Sequence, residues 1–345
     1  MKKKIALAVK VGVSLALVFW LVQKMDLGRF WAEAVRMAPA WLLLALLFKS
    51  CGVFASILRW KVLLKGQGMD VPLRFLASSF LEGRFFGTFL PSTIGLDTYR
   101  TVDLARYSKR TAASISVILV DKIIGLFSLS FLVLVTAGAG AKIVGTKGVL
   151  TLLAVFLLPL AMSVGLLLYP QILGRLADAE RWKGGRWAGK AHRFVETFTA
   201  YSRQRKRLLQ AMGLGIVIHL GETLVYYGTA LAVGAKVGLA DILFTAPLMI
   251  TATVIPLSIA GIGVREGTFI FFLKQVGVPA ESAALLAFLG FLVGGFISLF
   301  GGVIFVLRSH KYGASEPGWA MEESLRPEPE SAERPKGPIA AERAE

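Results

Sequence analysis

The sequence predicts an all-α polytopic membrane protein, with about six spanning helices and two oppositely oriented re-entrant helical hairpins that form an inverted repeat. Three observations carry this. Hydrophobic residues make up 55% of the chain and charged residues 18%, an apolar excess over ordinary soluble domains. The apolar residues gather in blocks the length of a bilayer helix, which a soluble core does not require. The basic residues, which set a formal net charge of +17, collect between those blocks, as the positive-inside rule describes. That distribution argues against nucleic acid as the partner. A basic membrane face attracts anionic lipid head groups instead.

The first block, residues 5–22, follows Met1-Lys2-Lys3-Lys4 and resembles a signal peptide. Gln23-Lys24-Met25-Asp26 follows it rather than a small-x-small cleavage site, so an uncleaved first helix with a cytoplasmic N-terminus is expected. The second block, 40–64, carries Lys49 and Arg59, so part of it must face protein or an interface. Its Cys51 is the single cysteine of the chain. It supports neither a disulfide framework nor a thiolate metal site and is expected to pack between helices. Blocks 111–137, 148–169, 208–233 and 282–307 also reach the roughly 17–25 residues that a span needs.

Residues 73–100 and 242–275 are apolar but broken by Pro and Gly. A break frees backbone groups that lipid cannot satisfy, so these segments are expected to be buried in protein or to line a wet cavity. Lys/Arg counting sets their orientation. The N-terminus, residues 100–110 and residues 175–207, the last with ten Lys/Arg, all belong in the cytoplasm only if 73–100 enters and returns on that side. The same count makes 242–275 enter and return from outside and puts the C-terminus inside. The two tips are alike: Pro91-Ser92-Thr93-Ile94-Gly95 with Asp97 and Arg100, against Pro256-Leu257-Ser258-Ile259-Ala260-Gly261 with Arg265 and Glu266. Opposed broken elements with similar tips mark an inverted-repeat transporter; chance recurrence of loop residues is the alternative.

Residues 181–207 interleave aromatic and basic side chains, which suits a helix on the membrane surface or a solvated loop packed on the bundle. From 312 the chain turns rich in Pro, Glu, Ser and Ala, too poor in apolar residues to fold alone. The expected organisation is a transmembrane domain over 1–311 and a disordered cytoplasmic tail over 312–345.

Four constellations could carry chemistry. In the first hairpin, glycines allow close approach to the backbone, and amides at a broken helix can bind phosphate. Arg84 and Arg100 could add charge-assisted bonds to it, with Glu82 and Asp97 holding the arginines; a structural ion-pair cluster is the other reading. Asp121 and Lys122 lie near the middle of the third span, about 100° apart around the helix, so each is expected to find a partner elsewhere, Asp121 with an arginine of the first hairpin. In Gly261-Ile262-Gly263-Val264-Arg265-Glu266-Gly267, Glu266 suits capping. Arg265 disfavours a helix N-terminus unless an anion is near, and reads as a lipid-phosphate contact. His219 and Glu222 share a face of the fifth span and suit an interhelical hydrogen bond better than a metal site. The sequence has no nucleophile elbow, P-loop or zincin motif and implies no cofactor, no metal and no enzyme activity. The expected substrate site joins Arg84, Arg100 and Arg265 with Glu82, Asp97, Asp121 and Glu266 around one lipid head group, with Ser92, Gly95, Ser258, Gly261 and Gly263 at the hairpin tips.

Three motifs, Arg59-Trp60, FFGTFLPSTIGLDTYR leading to SVILVDKIIGL, and PLSIAGIGVREGTFI, give the chain a resemblance to the flippase-like transmembrane domain of lysylphosphatidylglycerol synthases. The likeness covers roughly residues 5–308. Gly87, Leu96 and Lys122 depart from it, where the family often has Asn, Gly and Arg. The soluble aminoacyl-transferase domain of the two-part members is absent from the sequence. The resemblance therefore implies lipid translocation, not lipid synthesis; the expected location is the inner (cytoplasmic) membrane, with both termini cytoplasmic by the Lys/Arg count. The partner implied is a membrane phospholipid or lipid-linked substrate, anionic, aminoacylated or polyprenyl-phosphate-linked. A membrane-embedded enzyme or enzyme subunit in envelope biogenesis, or a scaffold, stays open, as does homo-oligomerisation.

Overall fold

In a computed structural model, residues 19, 23, 26–89, 95–168, 201, 204–254 and 258–312 are described. Among them there is no strand. The helices are α1 (Leu27–Arg36), α2 (Pro39–Gly66), α3 (Leu73–Phe89), α4 (Gly95–Ser108), α5 (Thr111–Thr136), α6 (Ala141–Leu168), α7 (Arg205–Val233), α8 (Leu239–Val254), α9 (Val264–Leu273) and α10 (Ala280–Tyr312). The chain divides into residues 1–305 and 306–345. The first unit contains everything discussed below; the described part of the second is the end of α10.

Among the described residues, α2, α5, α6, α7 and α10 are long and apolar enough to cross a membrane. They coincide with five of the six expected spans; the sixth, 5–22, lies outside the described residues apart from Phe19, as do the 312–345 tail apart from Tyr312 and most of 181–207. Large apolar side chains such as Leu43, Leu158 and Val303 are exposed on these helices, as expected of a surface that lipid covers. Cys51 is also exposed, so it does not pack between helices as its size suggested.

Small residues set the closest helix contacts, because backbones in a bilayer gain from dispersion rather than from expelling water. Along the α2–α7 seam, a Cβ on Gly228 would stand 3.1 Å from the Ala45 side chain and 3.3 Å from its backbone. A Cβ on Gly301 of α10 would lie 1.9 Å from the Leu81 carbonyl oxygen of α3.

Both Pro/Gly-broken regions fold into antiparallel helical pairs. In the first, a Cβ on Gly87 of α3 would stand 3.1 Å from the Leu96 nitrogen of α4, and near the open end Phe75 and Tyr107 stack at 4.2 Å. The second pairs α8 with α9: Phe244 meets Phe272 at 6.3 Å, and Gly261 sits against Thr253. Its turn needs left-handed backbone at Ala260 (φ 52°), Gly261 (φ 74°) and Gly263 (φ 83°), conformations that glycine adopts freely and alanine rarely.

The helix ends sort into two groups. At one, Lys142 of α6 pairs with Asp241 of α8 at 2.7 Å, and the Ala38 amide donates to Ala232 at 2.8 Å. At the other, the Tyr201 hydroxyl donates to the Leu63 carbonyl at 2.8 Å, and Gln204 Nε2 to the Gly66 carbonyl at 3.0 Å. The pair α3/α4 opens toward this second end and α8/α9 toward the first, so their tips face each other.

Helix α1 is a short amphipathic element. Asp26 caps it, accepting from the Arg29 amide at 3.1 Å. Leu27, Trp31 and Val35 form an exposed apolar stripe at a spacing of four. Another face is tied to α10, where Ser282 Oγ donates to Glu33 at 3.0 Å.

Candidate functional site

Where the hairpin tips approach each other, they and α2, α7 and α10 enclose a cavity of about 170 Å³. Three cations line it, each from a different element: Lys49 of α2, Arg84 of α3 and Arg265 in the first turn of α9. Gly87 and Thr88 come from the first tip, Ala260 from the second, and Gly290, Phe291, Gly294 and Gly295 from α10. Glycine on α10 keeps the space open. A Cβ on Gly294 would stand 3.4 Å from Lys49 Cε and 3.9 Å from Arg84 Nη2, and one on Gly290 would collide with the Tyr226 ring at 2.3 Å.

The cations are held differently. Lys49 Nζ lies 2.6 Å from both carboxylate oxygens of Glu222 on α7. Arg265 Nη2 donates to the Ala260 carbonyl at 3.1 Å, and its guanidinium lies 4.8 Å from the centre of the Phe291 ring. Its Nε and Nη1, and the Nε of Arg84, are buried without a hydrogen-bond partner among the described residues. A buried N–H left unmatched costs about 1–3 kcal/mol, more when charged. A ligand with acceptor oxygens would remove that cost. The first-turn amides of α9 add positive potential on the same side.

A second cluster joins α2, α4 and α5. Arg100 Nη2 lies 2.6 Å from Asp97 and 3.2 Å from Asp121, between the rings of Trp60 and Phe80 at 5.1 and 5.2 Å. Arg59 Nε reaches Asp121 at 2.7 Å, and Lys122 pairs with Asp97. Adjacent Asp121 and Lys122 thus serve different partners, as their angular separation requires. Arg100, Arg59 and Asp121 are buried. Each short contact in this cluster joins a cation to a carboxylate, so it ties the first hairpin to its neighbours.

The seven charges expected around one head group therefore fall into separate places. Arg84 and Arg265 line the cavity. Arg100, Asp97 and Asp121 form the ionic cluster. Glu82 is fully buried and accepts from the Tyr99 hydroxyl. Glu266 accepts from the Gly263 amide at 2.7 Å and caps α9. Gly95 packs on Gly87; Gly261 and Gly263 shape the second turn. Ser258 is buried, its hydroxyl without a partner among the described residues. Ser92 lies outside the described residues. Sequence reasoning missed Lys49, Tyr226 and the Gly290–Gly295 face of α10. Lys49 carried a signal, a cation inside an apolar block; the α10 glycines could be found only by their spacing. Glu222 does make an interhelical bond, with Lys49 rather than through His219, whose Nδ1 is unpartnered.

A family profile described as the lysylphosphatidylglycerol synthase TM region matches residues 7–302. A comparison with curated proteins gives no match.

Proposed function

We propose, from the premise that the chain belongs to the lysylphosphatidylglycerol synthase transmembrane-region family, that it carries an anionic, aminoacylated or polyprenyl-phosphate-linked lipid between the leaflets of the cytoplasmic membrane without altering it. One observation supports this above the rest: Arg84 and Arg265, from two opposed hairpins, line one cavity, and each has a buried guanidinium N–H without a hydrogen-bond partner among the described residues. A head group leaving water loses its hydration, and preplaced guanidinium donors replace it. Opposed broken helices meeting at a site are also how inverted-repeat transporters alternate access.

In this reading the hairpins are re-entrant and the end that carries Lys61, Lys65, Arg106, Lys109 and Arg110 faces the cytoplasm. The test is translocation of a head-group-labelled anionic lipid in proteoliposomes, with the recovered lipid weighed by mass spectrometry. Movement with unchanged mass supports transport. A mass shift without movement would assign the cavity to an enzyme.

A further inference from the structure

An apolar groove of about 540 Å³ runs along the outside of α2 and α10 beside the polar cavity. Leu42, Leu43 and Leu46 form one wall, and Phe296 and Leu299 belong to the other. Leu43, Phe296 and Leu299 are exposed, so in a bilayer this groove opens to hydrocarbon. It shares Phe291 and Gly295 with the cavity. The two spaces thus adjoin at these residues, one lined by cations and the other apolar. Where they adjoin, a Cβ on Gly295 would meet nothing within 4 Å, so no described side chain packs against that glycine.

The lining of the cavity selects by charge. Among the described residues it holds three cations and no carboxylate; Glu222 is bonded to Lys49. An ammonium group placed there would meet like charges in a poorly screened site. A phosphate would meet three cations, two of them guanidinium groups with N–H left without acceptors among the described residues. We infer that cavity and groove form one bipartite lipid site, in which the cavity takes a phosphate head group without an added amine and the groove takes the adjoining hydrocarbon chain, reached sideways through the neck at Gly295. The inference deepens the lipid-transport reading and rests on it for the bilayer setting. It narrows the substrate to an anionic phospholipid or prenyl phosphate and excludes the aminoacylated class.

The experiment measures binding to the purified full-length protein in neutral detergent. Three probes are used: dioctanoyl phosphatidic acid, glycerol 3-phosphate as the chainless phosphate, and dioctanoyl lysylphosphatidylglycerol. Phosphatidic acid is expected to bind at least about tenfold more tightly than either of the others. Arg265→Gln should weaken both phosphate probes. Gly295→Phe, built into open space, should weaken phosphatidic acid far more than glycerol 3-phosphate, with Gly295→Leu as a smaller plug and thermal melting as the check on folding. Equal binding of glycerol 3-phosphate and phosphatidic acid would make this a site for free phosphate and overturn the role of the groove. Binding of the lysyl lipid as tightly as phosphatidic acid would overturn the charge selection. Unchanged phosphatidic acid binding in both folded Gly295 variants would overturn the neck. The expected binding pattern without movement in vesicles would remove the transport reading and leave this site standing.

Discussion

Glu82 and Arg84 are two residues apart on α3, hence about 200° apart around the helix. One turns to Tyr99 of the neighbouring hairpin leg and the other to the cavity. That the charges inside apolar segments matter was legible, because such charges are costly to keep there; which of them share a site depends on helix rotation, which the sequence does not state. The two clusters respond differently to substitution. Arg265→Lys keeps the charge but loses the fork that spans phosphate oxygens and the packing on Phe291. It is expected to slow lipid movement in proteoliposomes by about tenfold, or about 1.4 kcal/mol, with the melting temperature little changed; wild-type rates would remove Arg265 from the site. Asp121→Ala strands Arg59 in a buried position and leaves Arg100 with Asp97 alone, and should cost about 3–5 kcal/mol. Lys122 is 62% exposed, so Lys122→Ala should cost at most about 1 kcal/mol. Denaturant titration in detergent compares them, and equal losses would contradict the ion-pair assignment.

At the scale of elements, the five described spans were readable because hydropathy over a bilayer length needs no tertiary information. The hairpins were readable from their Pro/Gly breaks. Boundaries were less so. α6 starts at Ala141 rather than 148, since Lys142 is paired with Asp241 and a left-handed Gly145 (φ 67°) kinks the helix after it. α1 has an apolar stripe but no long apolar run, so a search for spans passes over it. Helix crossings supply a contrast between two glycines of α10. Gly301→Ala would press a methyl into the Leu81 backbone and should destabilise by about 1–3 kcal/mol. Gly295→Ala meets open space and should be neutral or slightly stabilising, since alanine favours a helix by up to about 1 kcal/mol over glycine. Equal melting temperatures for the two would mean that α3 and α10 do not cross this closely.

For the whole molecule, the described basic residues expected inside, among them Arg106, Lys109, Arg110, Arg205, Lys206 and Arg207, lie at one group of helix ends, alongside the open end of α3/α4. Single cysteines at Ser108 and Gly184, introduced after Cys51→Ser because Cys51 is itself exposed, are expected to resist a membrane-impermeant thiol reagent in intact cells and to react after lysis. Labelling of either from outside would refute the cytoplasmic assignment of that end. The pinning of α1 bears on depth. An apolar stripe made of Leu27, Trp31 and Val35 suits a water–hydrocarbon boundary, and its tie to α10 would then set the waterline of the protein. Lys49 lies ten residues beyond Pro39, about 15 Å along α2, and the hydrocarbon layer is about 30 Å thick. With α1 as the float, the cavity is expected to hang about halfway down, and a head group held there would belong to neither leaflet.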